Sequence, residues 1–190
     1  MLEKIIAFIG PSMVGKTTVS TMLAHKLNEQ KISSDTFCKL HTYHSDTPEE
    51  TLELFDHMKE YIQNNNVRIV DIGSNTIEDC SDDELKYIIN SLTINGNPPE
   101  FYLLLPSKDL YKSYTFLEKT AKKLSINTPE VITSIRESLT CDNFKKLQHT
   151  TIYTLDNYKK PILASTTTSY KNHLNSIANK ISEEYIVSEK

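Results

Sequence analysis

Apolar residues in this chain fall into short unbroken runs, separated by longer stretches in which they recur every third or fourth position. The runs are Ile5-Ile6-Ala7-Phe8-Ile9, Val67-Arg68-Ile69-Val70-Asp71-Ile72, Phe101-Tyr102-Leu103-Leu104-Leu105 and Thr151-Ile152-Tyr153-Thr154-Leu155. Such runs predict strands buried on both faces. A weaker stretch from Lys31 to Phe37 predicts a second strand, taken to end at Asp35.

Between the runs the spacing is helical. Val19, Leu23 and Leu27 share one face, as do Leu52, Phe55, Met58 and Ile62, then Leu85, Ile88, Ile89 and Leu92. A fourth stripe, Leu110, Tyr114, Leu117, Ala121 and Leu124, is expected to be core, and a last helix from about Thr166 carries Leu174, Ile177, Ile181 and Tyr185. Thr47-Pro48-Glu49-Glu50 and Ser81-Asp82-Asp83-Glu84 have the form of capping boxes, and Ser107 is expected to cap the fourth helix.

Strands alternating with helices in this way predict an α/β fold, with a five-stranded parallel sheet and helices on both faces. At 190 residues the chain is expected to be a single domain over 1–190. From Ser125 to Asp142 large apolar residues thin out, and this segment is expected to be a lid.

Chemistry enters at Gly10-Pro11-Ser12-Met13-Val14-Gly15-Lys16-Thr17, which fits the phosphate-cradling pattern G-x-x-x-x-G-K-[ST] between a strand and a helix. Two of only 4 glycines in the chain stand there. They let the backbone approach a phosphate, so that successive N–H groups and the helix N-terminus bind the anion. The nucleotide-binding set is therefore Gly10, Ser12, Met13, Val14, Gly15, Lys16, Thr17 and Thr18. Lys16 is expected to reach the terminal phosphates and Thr17 to ligate Mg²⁺.

Asp71 closes an apolar strand. Mg²⁺ needs a carboxylate opposite the loop hydroxyl, and a buried aspartate without such a role would need another partner. Asp35 sits where ligands gather in open parallel sheets, at the carboxyl end of the second strand. The chain has two arginines, and Arg136, inside the expected lid, is the one available to act as a finger on the transferring phosphoryl group. Arg68 opens the third strand, at the end of the sheet away from the loop. His41 and His44, three apart with no other ligand nearby in sequence, read as polar surface.

Composition narrows the classes. A net charge of -4 and the absence of any Lys/Arg block disfavour nucleic acid and anionic membrane. Cys38, Cys80 and Cys141 lie far apart without C-x-x-C pairing, which disfavours a disulfide framework or a zinc site and makes a reducing cytoplasm the expected compartment. The first apolar run belongs to the first strand rather than to a leader, and no apolar stretch approaches membrane-spanning length.

Taken together, the loop from Gly10 to Thr18, the acid after strand two, Ile69-Val70-Asp71-Ile72-Gly73-Ser74, and Phe144-Lys145-Lys146-Leu147 leading into Thr151-Ile152-Tyr153-Thr154 resemble the shikimate kinase family. The resemblance covers most of the chain, with the phosphate loop its one specific motif. It implies a three-layer sandwich like that of the P-loop nucleoside monophosphate kinases. It also implies a lid at about 125–142 and an acceptor-binding region at about 36–66. By the same resemblance Lys16 and Thr17 serve ATP and Mg²⁺, and Asp35 assists both the metal and the acceptor hydroxyl. Gly73 then starts an acceptor-binding turn that continues into Ser74.

The chain departs from that family at four points. It has one acid rather than two after strand two, Gly73-Ser74-Asn75 in place of a glycine triplet, no arginine shortly before Phe144, and none early in the helix begun at Thr47. Nucleotide use is expected to survive these changes and shikimate as acceptor is not. The leading expectation is an ATP- and Mg²⁺-dependent kinase for a small hydroxylated or phosphorylated metabolite, working as a monomer or homodimer. The alternative is a nucleotide-binding regulatory or interaction protein that has kept the loop and lost the acceptor site. A GTPase is disfavoured because Asn-Lys-x-Asp is missing, and Asn179-Lys180-Ile181-Ser182 lies in the last helix.

Overall fold

Strand β1 (Ile6–Ile9) is the middle of a five-stranded sheet, between β3 (Val67–Asp71) and β4 (Glu100–Leu105), with β2 (Gln30–Ser33) and β5 (Thr150–Thr154) at the edges. All pairings are parallel and the order is β2-β3-β1-β4-β5. The computed structural model describes residues 3–41, 47–147, 150–154 and 168–188.

The unbroken apolar runs are explained by burial on two sides. Ile5, Ala7 and Ile9 face one core with Phe101 and Leu103, whereas Ile6 and Phe8 face the other with Tyr102 and Leu104. Helices α2 (Ser34–His41), α3 (Pro48–Asn64) and α5 (Asp82–Ser91) cover the first face, through Phe37, Phe55, Met58, Leu85 and Ile88. Helices α1 (Lys16–Leu27) and α9 (Thr168–Ser188) cover the second, through Val19, Leu23, Leu174 and Ile181. The result is the expected three-layer α/β sandwich. Both predicted capping boxes form, Thr47 with Glu50 and Ser81 with Glu84.

The second strand stops earlier than its sequence suggests. It pairs with β3 only as far as Ser33 opposite Asp71, where β3 ends, and the next amide on that side, Gly73, donates to the Ser34 hydroxyl instead of a β2 carbonyl. With no ladder left to join, the chain turns into α2 at Ser34, and Asp35 occupies the first turn of that helix, where a negative charge suits the dipole.

The fourth helix, α6 (Leu110–Lys123), is capped by Asp109 rather than Ser107: its carboxylate accepts from the Tyr111 and Lys112 amides, while the Ser107 backbone is held by Ser113. Leu110 is consequently exposed instead of buried, and the core face begins at Leu117 and Ala121. Two one-turn helices carry no periodic signal: α4 (Asn75–Glu78) after β3 and α8 (Asn143–Lys146) before β5. Between α6 and α8, α7 (Pro129–Thr140) packs Ile135 and Leu139 against Leu117 and Ala121. Leu155, Thr166 and His44 lie outside the described residues.

Candidate nucleotide site

The phosphate loop leaves β1 at the point where the sheet turns one way to β3 and the other to β4, the usual crevice for ligands in open α/β sheets. Gly10 has φ 127°, and a Cβ there would collide with the Leu104 carbonyl oxygen, so the loop cannot lie this close to β4 with any other residue. Met13 also has positive φ, 63°, and is held there by its packing against the α6–α7 cluster. Gly15, at φ 98°, caps α1, whose free amides point back into the loop.

Lys16 is buried with its ammonium inside this cradle, donating to the carbonyls of Gly10 at 2.7 Å and Pro11 at 3.0 Å. Burial lowers its pKa from the ordinary lysine value, against the opposing fields of Asp71, Asp35 and Glu78. The Thr17 hydroxyl donates to Asp71 Oδ2 at 2.5 Å, and Lys31 Nζ stands 4.0 Å from the same oxygen. Burial lowers the Lys31 pKa too.

The Thr17 hydroxyl and the Asp71 carboxylate are hard oxygen donors brought together from the first turn of α1 and the end of β3, which fits Mg²⁺. Among the described residues no group of three or more His, Cys, Asp or Glu is able to hold a metal. A cation here would therefore complete its shell with phosphate and water oxygens, the usual habit of Mg²⁺ beside a nucleotide.

Asp35, Gly73 and Ser74 meet on the β2–β3 side. The Gly73 amide donates to the Ser34 hydroxyl at 2.8 Å, and Asp35 Oδ1 occupies the room a Gly73 Cβ would need. Ser74 is buried, and its hydroxyl lies 2.8 Å from that of Ser12 in the phosphate loop. Arg136, by contrast, sits on α7 with its guanidinium 5.2 Å from the centroid of the Tyr114 ring, and donates to that hydroxyl at 3.1 Å. Arg68 donates to the Val67 carbonyl at 3.0 Å, on the strand end away from the loop.

Sequence reasoning passed over Ser34, Lys31 and Glu78. Lys31 had a signal, as a cation on the second strand, which leads to the site. Glu78 had none, because its place depends on α4. There it accepts a hydrogen bond from Ser138 of α7, while Asn143 of α8 donates to the carbonyls of Ile77 at 3.0 Å, Glu78 at 3.0 Å and Cys80 at 2.7 Å. Burial raises the Glu78 pKa; the Ser138 bond and the charge of Lys16 oppose that, while Asp79 and Glu137 add to it.

No protein-family model and no curated protein matches the chain. Solved structures do. It is similar to a shikimate kinase from Bacteroides thetaiotaomicron, at 15% identity over 95% of this chain and 98% of that one, with a TM-score of 0.64. The YorR protein of Bacillus subtilis in complex with phosphorylated GDP is similar at 15% identity over 97% of both chains, also with a TM-score of 0.64. A gluconokinase from Sinorhizobium meliloti 1021 is similar at 12% identity over 99% and 98%, with a TM-score of 0.56. The fold is that of the shikimate kinase-like P-loop kinases. Among the described residues no helix is long and apolar enough to cross a membrane.

Proposed function

We propose that this chain is a kinase that transfers the terminal phosphoryl group of ATP, with Mg²⁺, to a hydroxyl of a small metabolite other than shikimate. The observation that carries the reading is the hydrogen bond from Thr17 to Asp71 at 2.5 Å, beside a complete phosphate loop. Mg²⁺ supplies charge neutralisation on the phosphates when bound, and Thr17 and Asp71 are the residues that would hold it, with Asp35 nearby.

Lys16 exchanges its two loop carbonyls for phosphate oxygens and offsets the charge that grows in the transition state. The acceptor oxygen bonds to the γ-phosphorus as the bond to the departing ADP oxygen breaks, and the hydroxyl proton passes to the Asp35 carboxylate. Asp35, Gly73 and Ser74 form the acceptor side, within a region at about 36–66. The segment at about 125–142 acts as lid, and Arg136 closes over the phosphates only if it leaves Tyr114. We assign these roles within one domain acting in the cytoplasm.

A nucleotide-binding protein without transfer activity is the second reading, and the seat of Arg136 on Tyr114 favours it. Two measurements separate them. ATP with Mg²⁺ raises the melting temperature more than either alone under both readings, and Asp71→Asn removes the Mg²⁺-dependent part. ADP release on a panel of hydroxylated metabolites is expected only of the kinase. An Asp71→Asn chain that keeps the full Mg²⁺ increment would take Asp71 out of the metal's shell.

A further inference from the structure

We infer that Lys31 is a built-in counter-cation of Asp71 that limits how tightly the chain takes Mg²⁺: its ammonium balances the carboxylate beside Thr17, and its charge opposes a metal ion that joins them. Lys31 is on this account a positioning residue, acting through Asp71. The inference rests on the metal site of the kinase reading and adds the residue that tunes it.

The sheet puts the two side chains together. β2 is an edge strand, and its register against β3 sets Lys31 opposite Ile69 and Ser33 opposite Asp71. Residues two apart in a strand share a face, and Ile69 packs into the core under α1 with Val19 and Leu23. Lys31 and Asp71 therefore stand on the α1 side, roughly 7 Å apart along the sheet, a gap that the four-carbon stem of a lysine spans. Lys31 Nζ lies 4.0 Å from Asp71 Oδ2, the oxygen that also accepts from the Thr17 hydroxyl at 2.5 Å. Both side chains are withdrawn from water, Lys31 to 17% exposure and Asp71 to 3%.

A carboxylate so buried needs a counter-charge as well as a donor. Thr17 supplies the donor. Lys16 is turned to the carbonyls of Gly10 and Pro11, and among the described residues the ion pair to Asp71 comes from Lys31. A divalent cation at Asp71 would draw on the charge that Lys31 already balances, and two cations around one carboxylate repel each other more strongly where water is excluded. The direction of the effect separates this role from a merely structural one. Loss of a counter-cation leaves Asp71 unbalanced and tightens metal binding, whereas loss of a prop for the sheet edge loosens the site and weakens it.

The test measures ADP binding by calorimetry, with chelator and then with Mg²⁺, on wild type, Lys31→Met and Lys31→Arg, with Lys31→Gln as a second neutral variant should Lys31→Met not fold. The quantity read is the factor by which Mg²⁺ tightens ADP; the affinity of free ADP for Mg²⁺ is common to all the chains and cancels between them. Lys31→Met is expected to raise that factor roughly tenfold over wild type, with binding in chelator unchanged within about twofold. Lys31→Arg, which keeps the charge, is expected to stay near wild type.

A factor that is unchanged or smaller in the neutral variant overturns the inference, as does a Lys31→Arg chain that behaves like Lys31→Met. Weaker ADP binding in chelator would place Lys31 on a phosphate and overturn it too. A raised factor in a chain that releases no ADP with any acceptor upholds the role of Lys31 and removes the kinase reading. Phosphoryl transfer with a factor indifferent to Lys31 does the reverse.

Discussion

The hydroxyls of Ser12 and Ser74 meet at 2.8 Å, joining the phosphate loop to the turn that follows β3 across 62 residues of chain. Through this contact the phosphate loop and the turn proposed to bind the acceptor share one hydrogen bond. Its worth is measurable by a double-mutant cycle of Ser12→Ala and Ser74→Ala in urea unfolding. A coupling energy of about 0.5 to 1.5 kcal/mol is expected, and strict additivity would show the two sides to be energetically independent.

Lys16 is buried at a cost to folding. Its folded pKa lies below that of the unfolded chain because burial disfavours the charged form, so the penalty is fully present below the folded value and fades as pH rises from there to the unfolded value. Lys16→Met is therefore expected to leave the melting temperature equal or higher at pH 7, with the gap from wild type narrowing in alkali, while activity falls by orders of magnitude. A variant that unfolds several degrees earlier at pH 7 would mean that the two loop carbonyls outweigh desolvation.

Asn143 is expected to be the costliest surface-distant substitution in the α7–α8 region. Its Nδ2 serves three carbonyls around α4, and truncation to alanine removes the shortest of these bonds, to Cys80, and leaves the Ile77 and Glu78 carbonyls with only their longer contacts to the Cys80 amide and the Cys141 thiol. Asn143→Ala should lose about 2 to 3 kcal/mol in urea unfolding. A loss under about 0.5 kcal/mol would show that water replaces the amide without penalty.

At the opposite end of the sheet Glu100 fastens α9 to β4. Its carboxylate accepts from Tyr185 at 2.5 Å and Tyr102 at 3.0 Å and pairs with Lys4 at 2.5 Å. Burial pushes its pKa up, but the bonds from Lys4 and Tyr185 outweigh burial and the net direction is downward. A lowered folded pKa gives stability that is present above the ordinary glutamate value of about 4.3 and lost as pH falls through the folded value. Glu100→Gln is expected to be less stable than wild type at pH 7 and to converge with it on acidification. A gap that is constant with pH would mean that shape rather than charge makes the contact.

The phosphate loop was legible because everything it needs is contiguous: a buried strand, two glycines at positions of positive φ, a lysine, a hydroxyl and a helix. Asp71 was legible for a related reason, since an acid at the end of an apolar strand requires a partner, and Thr17 is that partner. That helices cover both faces of the sheet followed from runs buried on both sides, whereas the order of its strands came only with the tertiary structure.

Other features depended on contacts between distant segments. Asp35 entered a helix rather than ending a strand because β3 stops at Asp71 and leaves β2 no ladder to continue, a fact of register that no local pattern carries. Arg136 looks from sequence like a free cation in a lid, yet Tyr114 on the neighbouring helix offers both a ring and a hydroxyl, and only the packing of α6 on α7 brings them together. Glu78 lies on a single turn with no periodicity, and its place was decided by Ser138 and Asn143, at least 60 residues further along the chain. Motifs whose chemistry lies within one strand–loop–helix unit are written in the sequence. The side chains set against them come from remote segments, which only the tertiary fold brings together.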